Sequence, residues 1–214
     1  MIRLDMCGYS SILAFAVSLL PQPLQRAIEE FSKLPGIGHK SAERLTFHLL
    51  RSSKASPEAL GNALLNLRIE LHYCSECQMV TLQKKCSVCE DTSRDHSTIL
   101  VVESPLEVIA FEKTGYKGLY HVLHGVLSPI DGMGPEQLKL KELVDRCKSG
   151  VIQELIIATN PDVEGEATAT YIRQKLGDAV SKITRLAHGL PMGADIEFAD
   201  QVTLKEAIAG RRVL

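Results

Sequence analysis

Apolar residues in the first third of the chain recur three and four positions apart. This spacing predicts amphipathic helices over residues 24–32, 41–50 and 57–71. The short sequence Leu34-Pro-Gly-Ile-Gly38 separates the first two helices. We therefore predict a small helical module with a glycine-containing hairpin between its first two helices.

The pattern changes after Ser97, where short β-branched runs alternate with helical segments. Each run resembles a buried strand, and strands that alternate with helices predict a mostly parallel sheet. The predicted strands are 98–102, 154–158 and 182–186. One predicted helix follows the first strand and ends at Lys113, and two more cover 136–148 and 165–176.

These changes divide the chain into five segments. We expect an N-terminal extension, a helical module, a cysteine cluster, an α/β domain and a C-terminal tail, at residues 1–22, 23–72, 73–95, 96–190 and 191–214. The apolar run Ile12 to Leu20 resembles the core of a signal peptide, but Asp5 lies in its weakly basic flank and the run is too short to span a bilayer. An N-terminal extension is the simpler interpretation, with targeting as the alternative.

Composition restricts how the chain can bind a polyanion. The 214 residues carry a net charge of -2, contain 5% aromatic residues and lack Trp. Stacking of nucleobases on an aromatic surface is therefore disfavoured. Any nucleic acid has to be held by a local basic patch.

The hairpin offers such a patch. Gly36 and Gly38 flank Ile37 and allow close approach of a ligand to backbone N–H groups at a helix start, where an anion is favoured. Lys40 and Arg44 lie four apart on one helix face, and Lys33, Arg51 and Lys54 add to the charge against one acid, Glu43. These features predict phosphate binding that weakens steeply with salt and needs several copies. The alternative is a packing hairpin with solvated charges.

The cysteines have the most specific spacing in the chain. Cys74-x2-Cys77-x8-Cys86-x2-Cys89 can surround one metal ion with four thiolates, which leaves no open position for catalysis. Zinc is the expected ion and the site is expected to be structural; an iron centre or a redox dithiol is the alternative. Lys84 and Lys85 lie between the pairs and offset the negative charge. Thiolate ligands imply a reducing compartment, so we expect a cytoplasmic protein.

Acidic residues follow two of the predicted strands. Glu103 ends one strand, and Asn160, Asp162, Glu164 and Glu166 follow the next. The arrangement resembles the Toprim domain, in which such acids bind a metal ion. Asn160 replaces the first acidic residue of that pattern, so binding of Mg²⁺ is expected to be weak. No tyrosine lies in a recognisable nucleophile motif and there is no phosphate-binding Gly-rich loop with Lys, so we expect a protein without catalytic activity.

Taken in order, the motifs resemble the RecR family over residues 23 to 214. The resemblance rests on the hairpin with Lys40 and Arg44, the four cysteines, and three further segments, at 127–135, 159–168 and 189–212. It implies a multi-module α/β fold: an N-terminal helix-hairpin-helix, a four-cysteine zinc finger, a Toprim-type domain and a short C-terminal strand and helix. The strand around Ile196 to Phe198 resembles a degenerate Walker B element, with a packing or subunit-exchange strand as the simpler interpretation.

The resemblance also implies a function. Family members form a ring-shaped homotetramer around DNA and act with RecO, and in some settings RecF, to load RecA onto single-stranded DNA coated by its binding protein. Lys40 and Arg44 would contact DNA, Glu164 and Glu166 would contact RecO, and no membrane is involved. The alternatives are a magnesium-dependent Toprim nuclease or primase-like enzyme, and a zinc-organised interaction module that does not bind DNA.

Overall fold

The computed structural model describes residues 20–52, 56–148 and 150–212. These residues fall into two compact units, with the boundary between Leu67 and Arg68. Most of the N-terminal extension, and Lys54 of the basic segment, lie outside the described residues. Within the described part of the chain, no helix has the length and apolar character needed to cross a membrane.

The first unit is helical, as predicted. Its helices are α1 (Gln22–Ser32), α2 (His39–Arg51) and most of α3 (Pro57–Glu70). Pro23 lies in the first turn of α1, where a missing N–H costs nothing. Ile28, Ala42 and Thr46 are the buried residues that the structure describes in α1 and α2, and α3 has none. The core of this unit is therefore small.

The second unit begins with the cysteine segment. Strands β1 (His72–Tyr73) and β2 (Val80–Thr81) pair antiparallel, and the one-turn helix α4 (Ser87–Glu90) follows. Gln78 has a φ of 62°, which lets the chain reverse between the two strands. The backbone N–H of Val122 donates to the carbonyl of Cys77 at 2.9 Å, so the cysteine segment is joined to the sheet that comes after it.

That sheet has four parallel strands in the order β4-β3-β5-β6. Its strands are β3 (Asp95–Val102), β4 (Gly118–Val122), β5 (Glu154–Ile157) and β6 (Lys182–Arg185). The helices are α5 (Pro105–Glu112), α6 (Leu140–Cys147), α7 (Val163–Leu176) and the C-terminal α8 (Gln201–Ala209). The predicted parallel sheet is confirmed, and β4 is a strand that the sequence pattern did not predict.

The residues of β3 alternate between two apolar clusters. Ile99 and Val101 pack with residues of α6 and α7, whereas Leu100 and Val102 pack with residues of α5 and β4. All four are at most 3% exposed. Full burial of each such side chain stabilises the fold by about 1.5–3 kcal/mol, so β3 is the centre of the core.

The C-terminal tail differs from its prediction. Ile196–Phe198 was expected to be a strand but forms a single 3₁₀ turn, so the strand prediction is wrong. The turn closes through local bonds, from the N–H of Phe198 to the carbonyl of Asp195 and from Ala199 to Ile196. A lone strand would leave these backbone groups without partners, and the turn satisfies them locally.

Candidate functional site

The predicted acidic residues lie where β3 and β5 end side by side. From β3 the chain first forms β4 on one side and then β5 on the other, so the strand order changes direction between β3 and β5. In open α/β sheets, ligand sites form in the crevice at such a point. Glu103 follows β3 there, and Asn160 lies just beyond β5. The fold therefore brings these two predicted site residues into contact.

Glu103 and Asn160 are joined by two hydrogen bonds. The backbone N–H of Asn160 donates to Oε1 of Glu103 at 2.5 Å, and its side-chain Nδ2 donates to Oε2 at 2.9 Å. Burial raises the pKa of Glu103, the bonds from Asn160 oppose this rise, and the carboxylates of Glu107 and Asp162 add to it. Both carboxylate oxygens thus have partners within the chain.

The other acids belong to the first turn of α7. Oδ1 of Asp162 accepts from the N–H of Gly165 at 2.7 Å and caps the helix. Glu166 pairs with Arg185, with 3.0 Å between Oε2 and Nη1. Glu164 is half-buried in the same turn.

Arg185 is a site residue that the sequence analysis missed. It ends β6, so its position at the carboxyl end of a parallel strand was the available signal. Gly165 also has a defined role, because a Cβ there would collide with the carbonyl oxygen of Asn160. That carbonyl accepts from Nη2 of Arg185 at 3.1 Å.

The hairpin between α1 and α2 presents exposed backbone and cations. Gly36 has a φ of 79°, a conformation that favours glycine, and Gly38 precedes α2 without a side-chain cap. A Cβ added at either glycine would meet no atom within 4 Å. Lys40 and Arg44 are exposed on α2, and neither forms an ion pair with any described residue. Ile37 lies half-buried between the glycines.

The four cysteines converge, as their spacing predicted. Their sulfur atoms all lie within 4.8 Å of one another, and Cys74, Cys77 and Cys86 are buried. Four thiolates at about 2.3 Å from a zinc ion would lie about 3.8 Å apart, so the cluster has the size of a tetrahedral metal site. The N–H of Cys86 also donates to the sulfur of Cys74 at 3.3 Å. These residues can hold one metal ion in a closed shell.

Arg94 and His124 attach the cysteine segment to the sheet. Arg94 forms two bonds with the Glu112 carboxylate, at 2.9 and 2.6 Å, and donates to the carbonyl of Gly118 at 3.1 Å. Nε2 of His124 lies 2.8 Å from the carbonyl of Gln78. The metal cluster is therefore integral to the α/β unit.

Family models match three parts of the chain. A model described as Toprim domain matches residues 97–187, one described as "RecR, helix-hairpin-helix" matches 24–68, and one described as "RecR, C-terminal" matches 189–212. Together with the cysteine cluster, these matches define the class: a multi-module Toprim protein with a helix-hairpin-helix domain.

Curated relatives identify the family within that class. The chain is 49% identical over 197 residues to "Recombination protein RecR" of Roseiflexus castenholzii, covering 92% of this chain and 96% of the relative. It is 45% identical over 196 residues to the protein of the same name from Herpetosiphon aurantiacus, covering 91% and 96%. The chain belongs to the RecR family and is a recombination mediator in DNA repair. Both relatives are named as recombination proteins and not as enzymes.

Solved structures add little. A periplasmic metal binding protein from Candidatus Liberibacter asiaticus covers 80% of this chain and 51% of its own length at 13% identity, with a TM-score of 0.25. A likeness at this level carries no argument about fold or function.

Proposed function

We propose that the chain acts without catalysis, by holding DNA through the hairpin Gly36-Ile37-Gly38 together with Lys40 and Arg44. In this role it would act with RecO, and in some settings RecF, to load RecA onto single-stranded DNA coated by its binding protein. The observation that carries the proposal is the open hairpin, whose glycines, uncapped helix start and exposed cations face solvent in one short segment.

Each part of the hairpin supports contact with phosphate. The first N–H groups of a helix have no intrahelical acceptor, and the helix dipole favours an anion beside them. The N-cap residue of α2 is Gly38, which has no side chain to accept those N–H groups, and the first turn of α2 contains no acidic residue. Lys40 and Arg44 add positive charge to the same helix. Such contacts position DNA without reading its sequence.

We propose further that the chain assembles into a homotetramer, so that several hairpins act on one DNA. Large apolar side chains are exposed in a single chain, which supports self-association. In α3 these include Leu64, Leu65 and Leu67, and in the C-terminal tail they include Phe198 and Val202. Light scattering should give four times the 23.5 kDa mass of the chain. A protein that is monomeric at cellular concentrations and binds neither DNA nor RecO would contradict the proposal.

We propose zinc as the ion of the cysteine cluster and the cytoplasm as the compartment. Zinc suits four thiolates in a closed tetrahedral shell, and a reducing compartment keeps thiols available for it. Zinc held here would supply no chemistry and would fix the fold of the cysteine segment. We also propose that Glu164 and Glu166 contact RecO. The side chain of Glu166 remains 53% exposed beside Arg185, so basic side chains of a partner can still reach it.

The hairpin proposal is tested with the double variant Lys40→Ala, Arg44→Ala. We expect DNA affinity near 100 mM salt to fall about 10- to 100-fold. The slope of log affinity against log salt should fall by about two for each hairpin engaged. Fluorescence anisotropy with a labelled oligonucleotide measures both.

The matched control is Lys113→Ala, Lys117→Ala, which removes two exposed cations from the α/β unit. Equal losses of DNA affinity in the two double variants would show that general charge, and not the hairpin, holds DNA.

An absence of catalysis is tested separately with supercoiled plasmid and Mg²⁺. Nicking that disappears in Glu103→Gln would overturn the non-catalytic proposal.

A further inference from the structure

The Toprim fold implies a divalent cation at the acidic edge, and the residues present can be tested for their fit to it. Mg²⁺ needs carboxylate oxygens that are free to turn towards it in an octahedral shell. In this chain both oxygens of Glu103 already accept hydrogen bonds from Asn160, at 2.5 and 2.9 Å. The amide donors of Asn160 point at the oxygens that a metal ion would need.

The remaining acids of the edge are also engaged. Oδ1 of Asp162 accepts the N–H of Gly165 at 2.7 Å, and Glu166 pairs with Arg185 at 3.0 Å. That leaves the carboxylate of Glu164. A single carboxylate holds Mg²⁺ weakly, because the ion gives up its water shell reluctantly. The donor set therefore does not fit a divalent cation.

Arg185 supplies the positive charge that this edge would otherwise lack. Its side chain is 20% exposed. Nη1 contacts Glu166, Nη2 donates to the carbonyl of Asn160 at 3.1 Å, and Nε lies 3.3 Å from Nε2 of His188. Three bonds therefore hold the guanidinium in place, one to α7 and one each to the segments that follow β5 and β6. A metal ion entering beside Glu166 would meet this fixed cation.

We infer that Asn160 and Arg185 take the place of the divalent cation of the Toprim fold, so that Glu103 and Glu166 are already paired within the chain and the acidic edge does not take up Mg²⁺. Asn160 occupies Glu103 with amide donors, and Arg185 occupies Glu166 with a guanidinium. An Asp at position 160 could not donate from its side chain and would place a second carboxylate against Glu103. Two substitutions should therefore reopen the site.

The test is titration of the full, zinc-loaded chain with MnCl₂, followed by electron paramagnetic resonance of free Mn²⁺. Mn²⁺ prefers the same oxygen ligands as Mg²⁺ and does not compete for thiolates. We expect no saturable site in the unmodified chain up to about 10 mM Mn²⁺. The double variant Asn160→Asp, Arg185→Gln should bind one Mn²⁺ per chain with a dissociation constant of about 1 mM or less. Adding Glu103→Gln to that double variant should abolish the new site.

Two outcomes overturn the inference. One is saturable Mn²⁺ binding by the unmodified chain that is lost in Glu103→Gln. The other is a folded double variant, judged by circular dichroism, that still binds no Mn²⁺. If the double variant fails to fold, the comparison of the unmodified chain with Glu103→Gln still decides. Arg185→Lys with Asn160 retained is the matched control, because it keeps the charge and should remain without Mn²⁺.

A second readout is the melting temperature with and without 10 mM MgCl₂. Ligand binding to the native state raises the melting temperature. We expect an increase of about 2 °C or more in the double variant and none in the unmodified chain. DNA affinity measured on the unmodified protein reports separately on the hairpin, so failure of either proposal is distinguishable from failure of the other.

Discussion

The predicted site residues of the two units differ in whether they have partners within the chain. In the α/β unit, Glu103, Asp162 and Glu166 all have partners from the same chain, and Arg185 is held by three bonds. In the hairpin unit, Lys40 and Arg44 extend from α2 without a described ion-pair partner. Groups that are satisfied internally contribute to the fold, whereas groups left open are available to a ligand.

The apolar residues show a similar contrast. The α/β unit buries a cluster on each face of its sheet. The described part of the hairpin unit buries the apolar residues Ile28 and Ala42, while Leu64 and Leu65 in α3 are more than half exposed. We therefore expect stability to depend mainly on changes in the α/β unit, and DNA affinity on changes in the hairpin.

Loss of the metal site should have the largest effect on the stability of the α/β unit. Cys86→Ser removes a thiolate from a cluster whose sulfur atoms lie within 4.8 Å of one another. Because metal binding is coupled to folding, the free energy of unfolding should fall by at least about 5 kcal/mol. Urea unfolding with zinc quantified in the purified protein measures this. A variant that loses zinc yet keeps its stability would contradict the structural role.

The pair between Arg94 and Glu112 is the next largest test of the α/β unit. Only 11% of the Arg94 side chain is exposed, so Arg94→Met leaves a carboxylate and a carbonyl without their donor. We expect destabilisation of about 3 kcal/mol. Lys182→Met is the matched control, because it breaks a more exposed pair with Glu154 and should cost about 1 kcal/mol or less. If both variants lose a similar free energy of unfolding, burial does not make the Arg94–Glu112 pair the stronger of the two.

Burial of His121 makes the stability of the α/β unit depend on pH. The side chain is fully buried, and burial lowers the pKa of His121 to about 4. The unfolded chain takes up a proton near pH 6.5 and the native state does not, so this contribution to stability is present above pH 6.5 and is lost as the pH falls towards 4. The loss between pH 7.5 and pH 5 should be about 2 kcal/mol.

The measurement is urea unfolding at several pH values, for the unmodified chain and for His121→Gln. The contribution of His121 is the difference between the two pH profiles, because acid release of the metal affects both proteins. Parallel profiles would show that His121 does not set this dependence.

The smallest expected effect is a loss of DNA affinity from a change in the hairpin that leaves stability unchanged. Gly38 has a φ of -76°, and a Cβ there would meet no atom within 4 Å. Gly38→Ala should therefore fold normally, with a melting temperature within about 2 °C, but place a methyl group where a phosphate would approach. We expect DNA affinity to fall about 3- to 10-fold.

Gly61→Ala is the control for that variant, since a Cβ at Gly61 would also meet no atom within 4 Å and the residue belongs to α3 and not to the hairpin. Its DNA affinity should be unchanged. If Gly38→Ala binds DNA as well as the unmodified chain, phosphate does not approach the backbone closely at Gly38.

The sequence predicted the elements whose periodicity is regular. The helices α1 to α3, the parallel strands β3, β5 and β6, and the converging cysteines follow directly from apolar spacing and ligand spacing. Strand β4 was missed because its buried residues include Tyr120 and His121, which do not form an aliphatic run. The strand expected at Ile196–Phe198 rested on a resemblance to a Walker B element and not on periodicity, and these residues form a 3₁₀ turn.

The acidic edge shows a different limit. Their positions at the carboxyl ends of parallel strands predicted that Glu103 and Asn160 lie close together, but could not show that both carboxylate oxygens accept bonds from Asn160. The role of Arg185 depends on the pairing of β6 with β5, which follows from the strand order and not from any local pattern. Substitution of one acid by Asn was visible in the sequence, whereas the pairing of Arg185 with Glu166 was visible only in the fold.

The bond from Val122 to Cys77 has a consequence for the behaviour of the protein in storage and in oxidising conditions. Strand β4 lies at one edge of the sheet, and the cysteine segment covers part of that edge through this bond. Exposed edge strands are templates for pairing between chains. Chelation or thiol oxidation would thus uncover the edge and lead to insoluble aggregates, and not simply to a reversible loss of structure.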